Sequence, residues 1–350
     1  MTMPLDGVVV VDFTELLPGP FLTQALVDLG ARVIKIERPG GDNARHLGAG
    51  AFAAVNRGKE MRTLDLKSDA DVEVAWTLLA DADIMLEGYR PGVMAKLGLG
   101  PDTVRARLPR LVYLSLSGYG QLGPLAQTPG HDIDYAARSG VLALAGEVGR
   151  DPAWGPGVPV GDLAAATYGV GSVLAGLVAR ERTGQGCYID LAIRDCLAHW
   201  LNPRLGAFAG DRVESLAEQR VAALERPAYG VFRCSDNTLI TVAAIEDHFW
   251  SRLVEILISD EWAGPRYATF SARSLCAEEI NDALALHFST MTSTDALQLL
   301  ARSGVPSSPV LAPGAAVESV RERSTSLVVD DPTAGPLVRF PALFDHGTRT

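Results

Sequence analysis

The chain has 350 residues, of which 47% are hydrophobic and 21% charged; this is the composition of a globular protein and excludes a disordered or fibrous one. Such a length suits two domains and supplies a large apolar core. The formal net charge of −11 opposes non-specific binding of nucleic acid, so we expect no nucleic-acid partner, although a local basic patch can still hold a phosphorylated ligand.

Neither membrane nor metal is expected. The longest apolar stretch, residues 163–179, is short for a membrane span and is bounded by charged residues, which predicts a buried helix and no membrane partner. The apolar run at residues 8–11 has no basic leader before it, which predicts a cytoplasmic protein without an export signal. The four cysteines form no C-x-x-C pair, so we expect reduced thiols rather than a zinc site or a disulfide scaffold.

The first part of the chain alternates β-branched runs with helical patterns. Strands are predicted at residues 8–13, 31–37, 83–89, 111–119 and 188–192, and helices at residues 20–29, 69–82 and 162–182, with Ser68 as the N-cap of the second helix. Residues 120–159 are expected to be rich in loops. Strands separated by helices imply right-handed crossovers, so the predicted fold is α/β, with a large Rossmann-like domain in which helices cover both faces of a parallel sheet.

A second pattern starts near residue 227. Two strand-like runs flank Ser235-Asp236-Asn237, which is a plausible hairpin turn, and helical stretches follow at residues 247–257 and 277–291. We predict four parts: a large α/β domain at residues 1–200, a linker at 201–225, a smaller α+β domain at 226–320, and a segment at 321–350 that returns toward the large domain.

Basic residues are concentrated in the first quarter of the chain. Ligands of open α/β sheets bind outside the carboxyl ends of the strands, and Arg38 and Arg90 directly follow predicted strands. No G-x-G-x-x-G or P-loop motif is present, which argues against a dinucleotide or a P-loop nucleotide as ligand. Another anionic ligand is possible, and so is the simpler interpretation that Arg57, Lys59 and Arg62 form a solvated face.

Three further residues could perform acid–base chemistry. His131 lies in GHDIDY, in a predicted polar loop where a histidine can titrate near neutrality, although a lone histidine is more often structural. Asp162 begins the long predicted helix as its N-cap, a position that also holds a carboxylate rigidly enough for catalysis. Glu246 follows an apolar strand of the second domain, with Asp247 as the competing choice.

Long segments resemble the class III CoA-transferase superfamily (CaiB/BaiF type), and within it α-methylacyl-CoA racemase above all. They span most of residues 6–196 in family order and include VVVVDFTELLPGPFLTQALVDLGARVIKIERPGGDNAR, NRGKEMRTLDLKS, ADIMLEGYRPGVMAKLGLG and VPVGDLAAATYGVGSVLAGL. The resemblance implies an acyl-CoA thioester substrate, no cofactor beyond its CoA moiety, and no metal. It also implies an interlocked homodimer of ring-like chains, with each active site between the large domain of one subunit and the small domain of its partner.

Two chemistries compete within this superfamily. Its transferases resemble one another in an aspartate nucleophile, here matched by Asp162, which carries CoA as a thioester under a glycine-rich loop. No Gly-Gly run occurs at the corresponding stretch, ALERPAYGVF. Its racemases resemble one another in a GHD-I-[ND]-Y motif, here containing His131, together with the same aspartate and an A-I-E motif, here ending at Glu246.

The racemase resemblance therefore implies that His131 and Asp162 exchange protons with opposite faces of the α-carbon, while Glu246 orients His131. The implied interlocked dimer would allow Glu246 to act across the two subunits. The same resemblance implies a CoA site lined by Arg38, Arg57 and Arg90. Leu16 and Tyr135 complete that predicted binding set. A CoA-transferase and a non-catalytic acyl-CoA binding protein are the alternatives, and the acyl group is left open.

Overall fold

The computed structural model describes residues 3–153, 155–257 and 260–344. The strands are β1 (Val9–Phe13), β2 (Arg32–Glu37), β3 (Glu60–Thr63), β4 (Ile84–Glu87), β5 (Val112–Ser117), β6 (Tyr188–Ala192), β7 (Tyr229–Arg233), β8 (Leu239–Ala243), β9 (Ser307–Pro309), β10 (Val328–Asp331) and β11 (Gly335–Val338). The α-helices are α1 (Pro18–Asp28), α2 (Ala49–Asn56), α3 (Asp69–Ala80), α4 (Val93–Lys96), α5 (Pro101–Arg107), α6 (Asp132–Ser139), α7 (Val160–Thr183), α8 (Ile193–Trp200), α9 (Asn202–Asp211), α10 (Leu216–Leu224), α11 (Asp247–Ile256), α12 (Phe270–Ser274), α13 (Ala277–Phe288), α14 (Ser293–Arg302) and α15 (Pro313–Arg323). Short 3₁₀ helices are found at Asn43–Leu47, Leu142–Leu144, Asp260–Ala263, Pro265–Tyr267 and Thr325–Leu327.

The chain divides into two compact units. Among the described residues, the first contains residues 3–142, 155–203 and 317–344, and the second contains residues 143–153, 204–257 and 260–316. The stretch predicted as a linker, residues 201–225, contains α9 and α10. The described part of the predicted return segment, residues 321–344, belongs to the first unit.

The first unit is built on a parallel sheet of six strands in the order β3-β2-β1-β4-β5-β6. Successive residues of a strand face opposite sides, so Val10 and Ile84 pack with α1 and α7 on one side, whereas Val11 and Met85 pack with α3 on the other. This is the Rossmann order, and it confirms the predicted parallel α/β sheet. From β1 the chain adds β2 and β3 on one side of the sheet and then β4, β5 and β6 on the other side. The reversal of strand order lies between β1 and β4 and creates a switch point at their carboxyl ends.

One strand of this sheet was not predicted. Strand β3 pairs only with β2 at the edge, and its residues EMRT form neither an apolar run nor a regular alternation. An edge strand buries little, so a hydrophobic pattern does not indicate it.

Helix α7 is long and apolar enough to cross a membrane, judged by length and composition alone. In this fold it packs against α1, α8 and β5, with Ala165 and Val173 fully buried. The predicted core helix is thus confirmed, while the absence of a membrane partner stays a prediction.

The second unit combines an antiparallel sheet, in the order β7-β8-β9, with helices. The predicted hairpin joins β7 to β8, and Asn237 in its turn has the left-handed φ of 63°. Residues 143–153 belong to this unit, in which Arg220 is 6% exposed and donates hydrogen bonds to four backbone carbonyls between Ala143 and Arg150. One buried guanidinium thus holds a segment that is distant in sequence.

Candidate active site

A cavity of about 180 Å³ lies at the carboxyl ends of β1, β4 and β5, at the switch point of the sheet. Residues that directly follow these strands form part of its wall, among them Leu16, Gly88 and Gly118. The remainder comes from the starts of α6 and α7, which contribute His131 and Asp162. The structure therefore brings together two of the three predicted acid–base residues at the place where such sheets bind ligands.

The start of α7 differs from the prediction that Asp162 is its N-cap. The helix begins at Val160, which makes Asp162 its third residue. Asp132 performs the capping instead, because its Oδ1 accepts hydrogen bonds from the backbone N–H groups of Gly161 (2.6 Å) and Asp162 (2.9 Å). A Cβ at Gly161 would lie 2.9 Å from this oxygen, so the close approach requires glycine. Capping by Asp132 leaves the Asp162 carboxylate available to line the cavity.

The protonation equilibrium of the Asp162 carboxyl group is shifted toward its uncharged form. Burial, and after it the negative charge of Asp132, raise the pKa of Asp162 to about 7. A carboxyl group with this pKa exists in both protonation states near neutral pH. It can therefore take up a proton in one direction of a reaction and return it in the other.

His131 occupies the N-cap position of α6 rather than the predicted loop. Its backbone N–H donates to the Asp134 carboxylate at 2.9 Å, and its side chain is exposed at the cavity. Because the turn is tied to the helix that follows it, the backbone from which the imidazole projects is held at a defined place in the wall.

Tyr135 forms a rigid wall of the same cavity. Its hydroxyl donates to the carbonyl of Gly130 at 2.5 Å, and its ring meets Tyr119 edge to face at 5.2 Å. A Cβ at Gly118 would lie 2.3 Å from this ring, so a glycine is needed there. Burial, followed by the charge of Asp162, raises the pKa of Tyr135 to about 12, which keeps the phenol neutral. Tyr135 thus shapes the cavity and does not supply a base.

Leu16 enters the cavity wall on a loop held by buried charges. Its φ of 67° is unusual for leucine, and its N–H donates to Asp42 Oδ1 at 3.0 Å. Asp42 in turn forms an ion pair with Lys35 at 2.9 Å, and neither side chain is exposed. Sequence reasoning did not find this pair, because Asp42 and Lys35 have no motif beyond their position around the end of β2.

Lys59 is not part of a solvated face, so that interpretation is wrong for this residue. Its ammonium group is fully buried and donates to the Thr23 hydroxyl (2.7 Å) and the Pro20 carbonyl (2.9 Å), with Asp12 at 3.5 Å. Burial lowers the pKa of Lys59 to about 7, against the attraction of Asp12. The lysine fastens the start of α1, next to the cavity, to strand β1.

The three predicted CoA-binding arginines lie in different environments. Arg90 is exposed, and no ion pair holds its side chain within the described residues. Arg38 is exposed and contacts Glu15 (3.2 Å) and Asn43 (2.5 Å). Arg57 contacts Asp28 at 2.6 Å and lines a different cavity, so it is not brought to the site of His131 and Asp162.

Glu246 belongs to the second unit, where it occupies the N-cap position of α11 with an exposed side chain. Neighbouring Asp247 pairs with the fully buried Arg273 at 2.8 Å. Asp247 therefore has a structural role, whereas the Glu246 carboxylate makes no ion pair within the part of the chain that the structure describes. In that same part, no three His, Cys, Asp or Glu side chains cluster as a metal site requires.

A Rossmann-order sheet with a histidine and a near-neutral carboxyl group at its switch point defines an α/β enzyme capable of acid–base chemistry. The chain belongs to CoA-transferase family III, whose family model matches residues 5–349. This confirms the predicted superfamily and makes the protein an enzyme of acyl-CoA thioesters.

Individual relatives include both chemistries. The chain is 33% identical to the acetyl-CoA:oxalate CoA-transferase of Acetobacter aceti over 318 residues, which are 88% of this chain and 81% of that protein. It is 35% identical to human alpha-methylacyl-CoA racemase over 260 residues, which are 72% of this chain and 64% of the racemase. A crystal structure of a CAIB/BAIF family protein from Brucella suis superposes with a TM-score of 0.85 and 29% identity, covering 99% of this chain and 94% of the other.

Proposed function

We propose that this protein is an α-methylacyl-CoA racemase, which interconverts the 2R and 2S forms of 2-methylacyl-CoA thioesters by 1,1-proton transfer through an enolate. The observation that carries the proposal is that His131 and Asp162 line one cavity and that the pKa of Asp162 is raised to about 7. A reversible proton transfer needs groups that are competent in both protonation states at working pH.

The chemistry assigns a role to each residue. The α-proton of a thioester is weakly acidic, so one group must remove it while a group on the opposite face returns a proton to the enolate. His131 and Asp162 exchange these roles with the direction of the reaction. Glu246 orients His131 from the partner subunit, as a carboxylate commonly fixes the tautomer of a catalytic histidine. Each acid–base group contributes roughly 10² to 10⁴ in rate.

The remaining predictions complete the proposal. Arg38 and Arg90 bind the CoA phosphates, and Leu16 and Tyr135 bound the acyl end of the cavity. The interlocked homodimer, the cytoplasmic location and the absence of any cofactor beyond CoA stay predictions. Arg57, held by Asp28, supports the fold near α1 rather than the CoA phosphates.

Exchange in heavy water tests the proposal. Incubating the protein with a 2R-2-methylacyl-CoA in deuterium oxide should yield the 2S form with deuterium at the 2-position. Chiral chromatography and mass spectrometry detect this product. Absence of deuterium with both enantiomers overturns the racemase. CoA-thioester binding without exchange or transfer identifies the non-catalytic binding protein instead.

A CoA-transferase is the second candidate, because most of the named relatives are CoA-transferases and the cavity contains the carboxyl group of Asp162. In that reaction the carboxylate of Asp162 attacks the thioester carbonyl of the donor acyl-CoA, which gives a mixed anhydride and releases the CoA thiolate. The thiolate then attacks the aspartyl carbonyl of the anhydride, so that the donor acid leaves as its carboxylate and Asp162 carries CoA as a thioester. Borohydride or hydroxylamine added during turnover traps that thioester, and peptide mass spectrometry locates the label. A label on Asp162 favours the transferase, whereas a racemase gives none.

A further inference from the structure

The first unit contains a second cavity, which the proposed reaction does not use. It measures about 400 Å³ and lies between α1, α2, α7 and the segment that follows β11. Its wall is mainly apolar, with contributions from Phe21, Ala25, Val170 and Phe340. It shares no lining residue with the cavity of His131 and Asp162. Its size lies in the range of small-molecule sites.

One polar side chain in this wall has no partner. Gln24 is 4% exposed, and within the described residues neither its Nε2 nor its Oε1 makes a hydrogen bond. Buried amides are nearly always hydrogen-bonded, because desolvation without a partner is costly. Gln24 is therefore the feature of this cavity that needs an explanation.

Two charged groups of the wall, Asp28 and Arg57, are already engaged with each other. Arg57 donates to both oxygens of Asp28 (2.6 and 2.8 Å) and to the carbonyl of Ala54 (3.3 Å). Asp28 also accepts from the backbone N–H of Phe340 at 2.9 Å. The opposite charges of Asp28 and Arg57 offset each other, and the side chain of the third charged residue of the wall, Arg339, is exposed, so the buried part of the wall favours a ligand head without net charge. The amide of Gln24 is left to recognise that ligand.

We propose that this cavity binds a medium-chain aliphatic molecule whose head is a carboxylic acid or a primary carboxamide paired with Gln24. A primary amide offers one donor and one acceptor side by side, and only a head with the same planar arrangement satisfies both at once. The aliphatic chain covers the apolar wall of the cavity. Without such a ligand, the volume of the cavity would hold roughly a dozen water molecules, which would find few polar partners there.

Calorimetric titration tests the head group. We expect octanamide to bind with one-to-one stoichiometry, and octanenitrile, which has the same chain but only an acceptor, to bind at least about tenfold more weakly. Saturating coenzyme A should leave octanamide binding unchanged, because the lining residues are separate. Octanoic acid is the second probe, and its affinity should rise as the pH falls toward the carboxyl pKa of about 4.3.

Two variants locate the binding. Gln24→Leu keeps the size and removes the amide, so octanamide and octanenitrile should then bind within about twofold of each other. Ala25→Leu fills the cavity and should abolish binding of both, whereas the same change at exposed Ala106 on α5 should preserve it. Thermal unfolding of each variant checks that it folds. Equal affinity of amide and nitrile for the unmodified protein overturns the proposal, as does discrimination that survives Gln24→Leu, or no binding by any probe.

Discussion

Asp132 Oδ1 accepts a hydrogen bond from the backbone N–H of Asp162 at 2.9 Å, across 30 residues of sequence. The carboxyl group proposed to react is thus held in place by a second aspartate. Asp132 acts in two ways, since it caps the first turn of α7 and its charge is the second cause, after burial, of the raised pKa of Asp162.

Substituting Asp132 separates these two effects. Asp132→Asn keeps an acceptor and removes the charge, so the pKa of Asp162 should fall and the pH–rate limb that it controls should move to lower pH. Asp132→Ala also removes the cap and should lower the free energy of unfolding by about 1–2 kcal/mol, measured in urea. Asp69→Asn, at an exposed position in the first turn of α3, is the matched control. An unmoved pH limb in Asp132→Asn contradicts the electrostatic role.

Asp162 should make the protein less stable as the pH rises. Its pKa is raised from 3.8 to about 7, so the unfolded chain gives up this proton first and stability is lost progressively between about pH 4 and 7. Asp162→Asn removes this loss of stability. The free energy of unfolding of the variant should exceed that of the unmodified protein by about 2–4 kcal/mol at pH 8, and the difference should vanish near pH 4. Urea unfolding across this range measures it. Burial also raises the pKa of Glu87 to about 7, so part of the slope persists; equal slopes in both proteins would refute the shift of Asp162.

Removing one of the two proposed bases should abolish most racemisation but leave hydrogen exchange at the α-carbon of one enantiomer. His131→Gln and Asp162→Asn should each lower racemisation by roughly 10² to 10⁴. Each variant should still exchange the α-proton of one enantiomer with deuterium oxide, and the two variants should prefer opposite enantiomers. Proton NMR of the separate enantiomers follows the exchange. The same preference in both variants would place the groups on one face and argue against a two-base mechanism.

Substitutions of Glu246 and Asp247 should affect different properties, activity for Glu246 and stability for Asp247. Asp247→Asn weakens the partner of a fully buried arginine, Arg273, and should lower the unfolding free energy by about 1–3 kcal/mol. Glu246→Gln removes an exposed carboxylate and should change stability by less than about 0.5 kcal/mol while lowering kcat. A Glu246→Gln enzyme with unchanged kcat would exclude a positioning role.

Action of Glu246 across a dimer has its own test. Co-expressing Glu246→Gln chains with Asp162→Asn chains, each with a different tag, should give heterodimers with activity that neither parent has. An inactive heterodimer would mean that Glu246 and Asp162 act within one chain.

Arg90 and Arg57 should differ as CoA-binding residues. Arg90→Ala removes an exposed cation that forms no ion pair with the described residues, and it should raise KM for the CoA thioester about tenfold at little cost in stability. Arg57→Ala breaks the contact with Asp28 and should lower the unfolding free energy by about 2 kcal/mol while leaving KM unchanged. A higher KM in Arg57→Ala would return this residue to the CoA site.

Several parts of the fold could be read from local pattern. Strands β1, β2 and β4 are short segments rich in Val, Ile and Leu between turn residues, and their predicted positions agree with the structure within three residues at each end. Helix α6 was hidden in a region predicted as loops, because it has only eight residues, DIDYAARS, most of them polar or small. Short elements owe their stability to packing, which a local pattern does not contain.

The sequence by itself determined the parallel α/β fold, the superfamily, and the candidate residues His131, Asp162 and Glu246, since periodicity and motif are properties of neighbouring residues. Only the tertiary structure decided that Asp132, not Asp162, caps α7, that Lys59 is buried, and that Arg57 lies apart from the cavity. Each depends on a partner at least 29 residues away, and the burial and charge acting on a side chain arise only when such distant segments come into contact.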